Sequence, residues 1–545
     1  MTDTLSIATL GAHGDPVNVN SEPSAALPKG DRADTALVPA VALALLWMAS
    51  AAFVWPFDAF PVFDDWVYSF SAFQLAAGGS LVIPEWSSVY PVAQVLWGAL
   101  FVVVLGADDW VLRLSTVVLA VLGHLCWYRL LCATGTPRRW ALFGVAATAF
   151  HPVYFLLTLT FMTDVPMVAL WQIGLYAAWR WLRDDAQLWL LLATLAGLAA
   201  AYVRQTGAAL LVGLLAAALV SRPGRSNARE ARLPLAAVCL VVAGVFVFGA
   251  DVGDKLPMTA RLADVVSALR ISGWVYVDGL TAAAAFIGLS VFPLALLKSD
   301  VRWLAAAGLV FAVVWFVGEA PNLRTGTMWG ACELGGAASL LSTRLPVCGW
   351  ATPARFASLV AAALGWSALG PALLAGLRSA RSQREPFGVL VATTFAVFTV
   401  GLAVLWLFAD RYWLAPGVLA WGLLLPRGPR RVAVAIPIAS RVAVAAIAFV
   451  AVTGTAAVFD FYRDLDRERL RLVGSGAAAR DIDAGYAQNG RHRYLSLPRA
   501  RANTGRNQGL PWVTGITVSR YTIANSAEGP REKSVQGPGG GSEQP

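Results

Sequence analysis

Apolar runs recur along this chain from residue 38 to residue 458, separated by short polar loops. Many are long enough to cross a bilayer core of about 30 Å. Thirteen candidate spans follow: 38–56, 110–131, 140–158, 165–182, 188–203, 207–220, 234–250, 276–297, 303–318, 355–377, 387–408, 412–425 and 432–456. The shortest require tilted neighbours or interfacial help. The pattern predicts an all-α polytopic membrane protein of about 13 transmembrane helices, with a long first outer loop carrying juxtamembrane helices.

The cations set the orientation. Arg129, Arg138, Arg139, Arg180, Arg183, Arg222, Arg225, Arg229, Arg232, Lys298, Arg302, Arg378, Arg381, Arg384, Arg427, Arg430 and Arg431 fall in alternate loops. By the positive-inside rule those loops are cytoplasmic, and so is the N-terminus. The opposite loops, 57–109, 159–164, 204–206, 251–275, 319–354 and 409–411, are outer, and the chain beyond 459 is extracytoplasmic. Residues 91–105 are apolar too, but a span there would invert every later loop. Fifteen residues of helix rise only about 22 Å, so 91–105 reads as a juxtamembrane or re-entrant helix on the outer side.

Composition agrees. Of 545 residues 57% are hydrophobic and 14% charged, against about 25% charged in soluble domains. The net charge of +9 sits in loops that flank apolar runs, so it fits membrane orientation and not nucleic acid. The domain division is a disordered cytoplasmic tail at 1–37, a transmembrane domain at 38–458, a small extracytoplasmic segment at 459–525 and a disordered tail at 526–545. The first apolar run begins too late for a cleaved signal peptide and reads as an uncleaved span. Phe459–Arg471 is a charged amphipathic stretch placed on the outer surface. Cys126, Cys132 and Cys239 lie in or beside apolar runs and read as packing residues. Cys332 and Cys348 share one outer loop where a disulfide is compatible with an oxidising compartment. No CxxC pair or His cluster marks a zinc site. His124 and His151 lie within spans and read as residues satisfied by helix neighbours.

The chemistry lies in the outer loops. Phe63-Asp64-Asp65-Trp66-Val67-Tyr68 sets two carboxylates beside hydrocarbon, where ionisable groups are costly without a partner or a task; the plain alternative is a polar loop with an aromatic belt. In Phe161-Met162-Thr163-Asp164-Val165-Pro166, Pro166 suits a first helical turn and Asp164 a helix N-terminus; alone this is an ordinary cap. Glu85, just before the 91–105 helix, reads as a metal or substrate ligand or as a helix-start carboxylate. Arg204, in a tight outer turn, and Arg411-Tyr412 bring cations to the same side. Arg presents a planar fork that matches phosphate oxygens. Arg113 and Lys255 read more simply as headgroup anchors or structural pairs.

In their order these motifs resemble the membrane glycosyltransferases of the GT-C superfamily, with family 39 protein O-mannosyltransferases and bacterial lipid A aminoarabinose transferases as relatives. Asp64-Asp65-Trp66-Val67-Tyr68 resembles the Asp-acid-x-x-Tyr motif of the first outer loop. Gly106 to Leu114 resembles a Gly-x6-Arg-Leu element, Asp164-Val165-Pro166 an Asp-x-Pro element, and Arg411-Tyr412 an Arg-Tyr pair that opens a late span. Asp483-Ala484-Gly485-Tyr486-Ala487-Gln488-Asn489-Gly490 resembles an outer-segment motif of bacterial relatives. The similarity covers roughly residues 38–495. The family's first motif often reads Asp-Glu where this chain has Asp-Asp.

The resemblance implies transfer of a sugar from a polyprenyl-phosphate donor to a lipid, glycan or protein acceptor at the outer face of the plasma (inner) membrane. It makes Asp64 the general base, with Asp164 positioning the acceptor or sharing a metal, and Asp65 an alternative partner. Glu85, Tyr68, Arg204, Arg411, Tyr412 and Lys255 are the substrate-binding candidates, Arg411 first among the cations for the leaving phosphate. Members differ in metal dependence, so the resemblance leaves a divalent metal open. A transporter or flippase of lipid-linked substrates is the competing class, but its coupling residues usually lie near the bilayer midplane, whereas these acids fall at outer span ends. A structural membrane protein with a binding loop is the third.

Overall fold

The computed structural model describes residues 37–84, 87, 89–221, 230–248, 273–296, 300–317, 351–383, 386–404, 410–425, 435–478, 482–492, 521–522 and 531–532. Glu85, Lys255, Cys332 and Cys348 lie outside the described residues, as does most of the 1–37 tail.

The described residues are helical almost throughout. In order come α1 (Val38–Phe53), α2 (Asp65–Ala76), α3 (Val92–Leu105), α4 (Asp109–Ala133), α5 (Arg138–Ala149), α6 (Pro152–Thr158), α7 (Asp164–Asp184), α8 (Gln187–Val203) and α9 (Ala209–Val220). Then follow α10 (Arg232–Phe248), α11 (Gly273–Ala295), α12 (Val301–Val317), α13 (Ala351–Gln383), α14 (Pro386–Val404), α15 (Leu414–Leu424), α16 (Ile438–Gly474) and α17 (Gly485–His492). Three two-residue strands accompany the helices: Ile482–Asp483 pairs in parallel with Tyr521–Thr522, which pairs antiparallel with Arg531–Glu532.

By length and composition α4 and α16 each suffice to cross a membrane, and α5 with α6 makes a third crossing if counted as one broken span. Shorter apolar helices fall on most of the other expected spans, though not on 165–182 or 412–425, and one, Val92–Leu105, falls on the stretch read as juxtamembrane, so the number of spans is not settled. Large apolar side chains face outward along these helices: Leu46 is 61% exposed, Val104 71% and Phe449 69%. In a soluble protein such a surface is a liability; against lipid it is the favoured one. Where helices meet, small residues admit close approach. A Cβ at Gly365 would fall 1.8 Å from Gly288 O, so α11 and α13 touch backbone to backbone there.

The expected span 140–158 is broken. Pro152 has no N–H to continue the helix ladder, and α5 and α6 meet at 67°. Backbone groups freed in hydrocarbon must find partners. The His151 N–H turns back to Thr148 O at 3.2 Å, and Ala149 O accepts the Trp47 Nε1–H at 2.9 Å. His151 Nε2 lies 3.1 Å from Ser290 Oγ, a helix-neighbour partner as expected. His124 differs: neither ring nitrogen has a hydrogen-bond partner among the described residues, and the ring packs instead against Trp47 and Tyr154, centroids 5.8 and 5.0 Å away.

The last span also exceeds its expected end. α16 is one helix of 37 residues, roughly 55 Å long, so Phe459–Arg471 continues the span's own axis. Three-residue-spaced pairs line this extension: Arg463–Asp460, Arg467–Asp464, Arg469–Asp466 and Arg471–Glu468. That spacing puts the partners on one face.

Candidate active site

Four turns at one end of the bundle converge. The first is the start of α2. Phe63 holds φ at +55°, a left-handed conformation that costs a bulky residue of order 1–3 kcal/mol. It turns the chain sharply into α2, with Asp64 at the N-cap. The two adjacent acids then divide. Asp65 Oδ1 accepts the Val62 N–H at 2.8 Å, bridging back across the strained turn. The Asp64 carboxylate makes no cap bond to its own helix and reaches instead to Arg411 Nη2, 3.5 Å away.

The second turn joins α6 to α7. Asp164 is the first residue of α7 and its side chain is 2% exposed. It forms a close ion pair with Arg204, which also donates to Thr163 Oγ1 at 3.3 Å. The second oxygen, Asp164 Oδ2, accepts no hydrogen bond among the described residues. α3 braces this turn: Gln94 Nε2 donates to Phe161 O at 2.7 Å, and a Cβ at Gly98 would sit 2.4 Å from the Phe161 ring. α3 therefore packs at the end of the bundle that holds this turn.

The third part is the pair of turns holding Arg204 and Arg411. Arg204 ends α8 and leads into a 3-10 turn, Gln205–Ala208, whose Gly207 O accepts the Trp171 Nε1–H at 3.0 Å. Arg411 and Tyr412 lie in the 3-10 turn Asp410–Trp413 ahead of α15. The Tyr412 ring receives both guanidinium groups, Arg204 at 4.0 Å and Arg411 at 5.1 Å from its centroid. Arg411 also donates to the Tyr412 hydroxyl at 3.2 Å. Tyr412 thus lies between two cations, each held by its own acid, and the four charges cancel. Burial would lower the Arg204 pKa, but the Asp164 carboxylate beside it keeps it above the ordinary value. Tyr68, one turn into α2, feels all four charges; burial and then Asp64 push its hydroxyl well above the usual tyrosine range, against the pull of Arg411 and Arg204.

Asp64, Tyr68, Asp164, Arg204, Arg411 and Tyr412 are thus brought together. Asp65 lies apart from them, in a second charged cluster with Arg113, Asp109 and Arg491. Its carboxyl is pushed up to about 7, chiefly by burial, with Asp109 adding and Arg113, the Val62 N–H and Arg491 opposing. Arg113 is structural, as its place suggested. It donates to the carbonyls of Pro56 at 2.7 Å, Asp58 at 2.9 Å and Phe60, and its guanidinium lies 4.9 Å from the Phe60 ring centroid and 5.1 Å from that of Phe459. Arg463 of α16 adds a second staple to the same loop, pairing with Asp58 at 2.6 Å and donating to Trp55 O at 3.1 Å. Sequence reasoning passed over Arg463, Thr163 and Asp109; the charged periodicity of 459–471 was the signal available for the first. Among the described residues no three His, Cys, Asp or Glu side chains gather to hold a metal ion.

The family model for dolichyl-phosphate-mannose-protein mannosyltransferases matches residues 91–248. The matched stretch holds Asp164 and Arg204 but neither Asp64 nor Arg411. Among solved structures, the chain is similar to ArnT from Cupriavidus metallidurans bound to undecaprenyl phosphate, at 16% identity over 80% of this chain and 81% of that one, with a TM-score of 0.32. The apo form of the same protein aligns at 15% identity over 79% and 80%, with a TM-score of 0.33. No curated protein matches. The chain resembles the GT-C superfamily of membrane glycosyltransferases, and two of its described helices, or three spans counting the bent pair, are long and apolar enough to cross a membrane.

Proposed function

We propose that this protein transfers a sugar from a polyprenyl-phosphate carrier to an acceptor hydroxyl or amine at the extracytoplasmic face of the membrane. The observation that carries the reading is the convergence of Asp64 and Asp164, from loops about a hundred residues apart in sequence, on one Arg204–Tyr412–Arg411 girdle. In this reading the N-terminus is cytoplasmic and the girdle faces out.

Asp64 is the general base. Its side chain is 21% exposed, against 2% for Asp164, so an acceptor can reach it. The acceptor's oxygen or nitrogen attacks the anomeric carbon, Asp64 takes its proton, and the bond from that carbon to the carrier phosphate breaks, with inversion. The carrier leaves as a polyprenyl phosphate. A positioned base contributes about 10²–10⁴-fold. Arg411, with Arg204 behind the shared ring, supplies fixed positive charge to the leaving phosphate in a site poor in water, where such charge acts most strongly. Asp164 Oδ2 supplies a buried acceptor that orients a substrate hydroxyl; left unmade, such a bond costs about 1–3 kcal/mol. Asp65 holds the turn. Glu85 keeps its proposed role as a ligand to substrate or metal, and Lys255 its role as a substrate-binding cation.

The test is genetic and chemical together. Deleting the gene removes a particular envelope glycan or modified lipid, and the wild-type gene restores it while Asp64→Asn does not. Restoration by Asp64→Asn contradicts the assignment.

A transporter or flippase is the second reading, and one feature favours it: the α5–α6 elbow opens on a cleft of about 520 Å³, mouth included, lined by His151, Ser290, Phe286 and Trp421. Broken helices near the midplane are where transporters bind cargo. A labelled lipid-linked sugar that crosses proteoliposomes unchanged supports that reading against transfer.

A further inference from the structure

The C-terminal segment reaches the first outer loop at a specific place. α17 packs on α2, and Gly490 stands so close to Trp66 that a Cβ there would lie 2.2 Å from the indole Cε2. Trp66 is the second residue after Asp64 and is 1% exposed. Next to Gly490, Arg491 forms a close ion pair with Asp109, the first residue of α4, whose side chain is 6% exposed. Arg491 also acts electrostatically on Asp65. α17 has one further anchor, as Gln488 donates to Asp466 on the α16 extension at 3.0 Å, while Asn489 closes the helix's own start by accepting the Ala484 N–H at 3.1 Å.

The strained turn makes this contact matter. Phe63 at positive φ persists only if its surroundings over-determine it. Its supports are the Asp65–Val62 bond within the loop, the Tyr462 ring 5.7 Å away on α16, and α17 behind Trp66. Asp64 sits between Phe63 and Asp65, so a shift of α2 moves the carboxylate directly.

We infer that Arg491 is a positioning residue for Asp64: its ion pair with Asp109 clamps α17 against Trp66 and fixes the start of α2 facing Arg411. The inference rests on the transferase reading for its catalytic consequence, and its structural half stands without it. A displacement of about 1 Å at a reacting group can cost 10²-fold in rate, so loss of the clamp acts on turnover and leaves donor binding in place.

The test pairs turnover with hydrogen exchange on the full-length protein in detergent micelles. Arg491→Gln is expected to lower kcat 10- to 100-fold with the donor KM within twofold, and Arg491→Lys to recover most of it. Amides 62–68 are expected to exchange at least tenfold faster in Arg491→Gln while those of α7 stay at wild-type rates. If Arg491→Gln does not fold, Gly490→Ala takes its place, since even a methyl collides with Trp66, and the same pattern is expected. Unchanged exchange at 62–68 overturns the clamp, and faster exchange with unchanged turnover overturns the positioning role. A wild-type protein that transfers no sugar from any polyprenyl-phosphate donor overturns the transferase reading instead, a failure read from a different measurement.

Discussion

Asp64 and Arg411 stand 347 positions apart in the chain, yet Asp64 Oδ2 lies 3.5 Å from Arg411 Nη2. One comes from the first outer loop and the other from the turn before α15. The distance lies at the long limit of a hydrogen-bonded ion pair, and under the proposed function Asp64 takes the acceptor's proton from this position.

The neighbouring acids give the sharpest contrast. Asp64→Asn is expected to reduce sugar transfer about 10²–10⁴-fold with folding and membrane insertion intact. Asp65→Asn retains an oxygen able to accept the Val62 N–H, so most activity is expected to survive. Turnover of the two purified variants decides it; equal losses remove the division of labour between them.

The Asp164–Arg204 pair is buried on both sides, at 2% and 7% exposure. Removing one partner of such a pair strands the other charge, typically at a cost of about 3–5 kcal/mol. Asp164→Ala is therefore expected to lower thermal stability clearly in detergent, and Asp164→Ala with Arg204→Met to recover part of it. A single variant as stable as wild type contradicts the pairing.

Asp65 supplies a pH dependence. Its carboxyl is raised to about 7 in the folded protein from 3.8, chiefly by burial. The folded state therefore holds a proton that the unfolded chain releases, so this contribution is complete below about pH 4 and is lost as pH rises towards 7. The groups around it are Arg113 and Asp109 on α4, Arg491 on α17, Tyr462 on α16 and the Val62 N–H. Protection of amides 62–68 is expected to fall from pH 5 to pH 8 in wild type and to stay flat in Asp65→Asn. A flat wild-type profile contradicts it.

Tyr412 serves two cations at once. Tyr412→Leu removes the ring from beneath both Arg204 and Arg411, contacts worth roughly 0.5–2 kcal/mol each. Weaker donor binding and lower turnover are expected together, since the ring sets both guanidinium groups. Tyr412→Phe keeps the ring and loses only the 3.2 Å bond from Arg411, so a milder loss is expected in the same kinetic assay.

Much of this site was legible in the chain. The outer ends of apolar runs put Asp64, Asp164, Arg204 and Arg411 on one side, because loop charge constrains which ends share a face. The resemblance put Asp64 ahead of Asp65, but the sequence did not show why the two side chains part: adjacent residues at a helix start point in different directions, and the Val62 N–H holds Asp65. The elbow at His151 was partly visible in Pro152, but hydrophobicity runs through it unbroken and concealed the 67° bend. The Asp109–Arg491 pair joins positions 382 apart, and no local pattern reports a contact of that range. The length of α16 escaped for a related reason. Its polarity changes at 459 while its backbone does not, since three-residue-spaced ion pairs carry the helix onward.

The most direct test uses purified protein in proteoliposomes, a polyprenyl-phosphate donor radiolabelled in the sugar, and envelope extract as the acceptor source. Wild type is expected to move label to an acceptor with inverted anomeric configuration, releasing polyprenyl phosphate in step, and Asp64→Asn to fall at least about 100-fold below it. Transfer by Asp64→Asn within twofold of wild type contradicts the account.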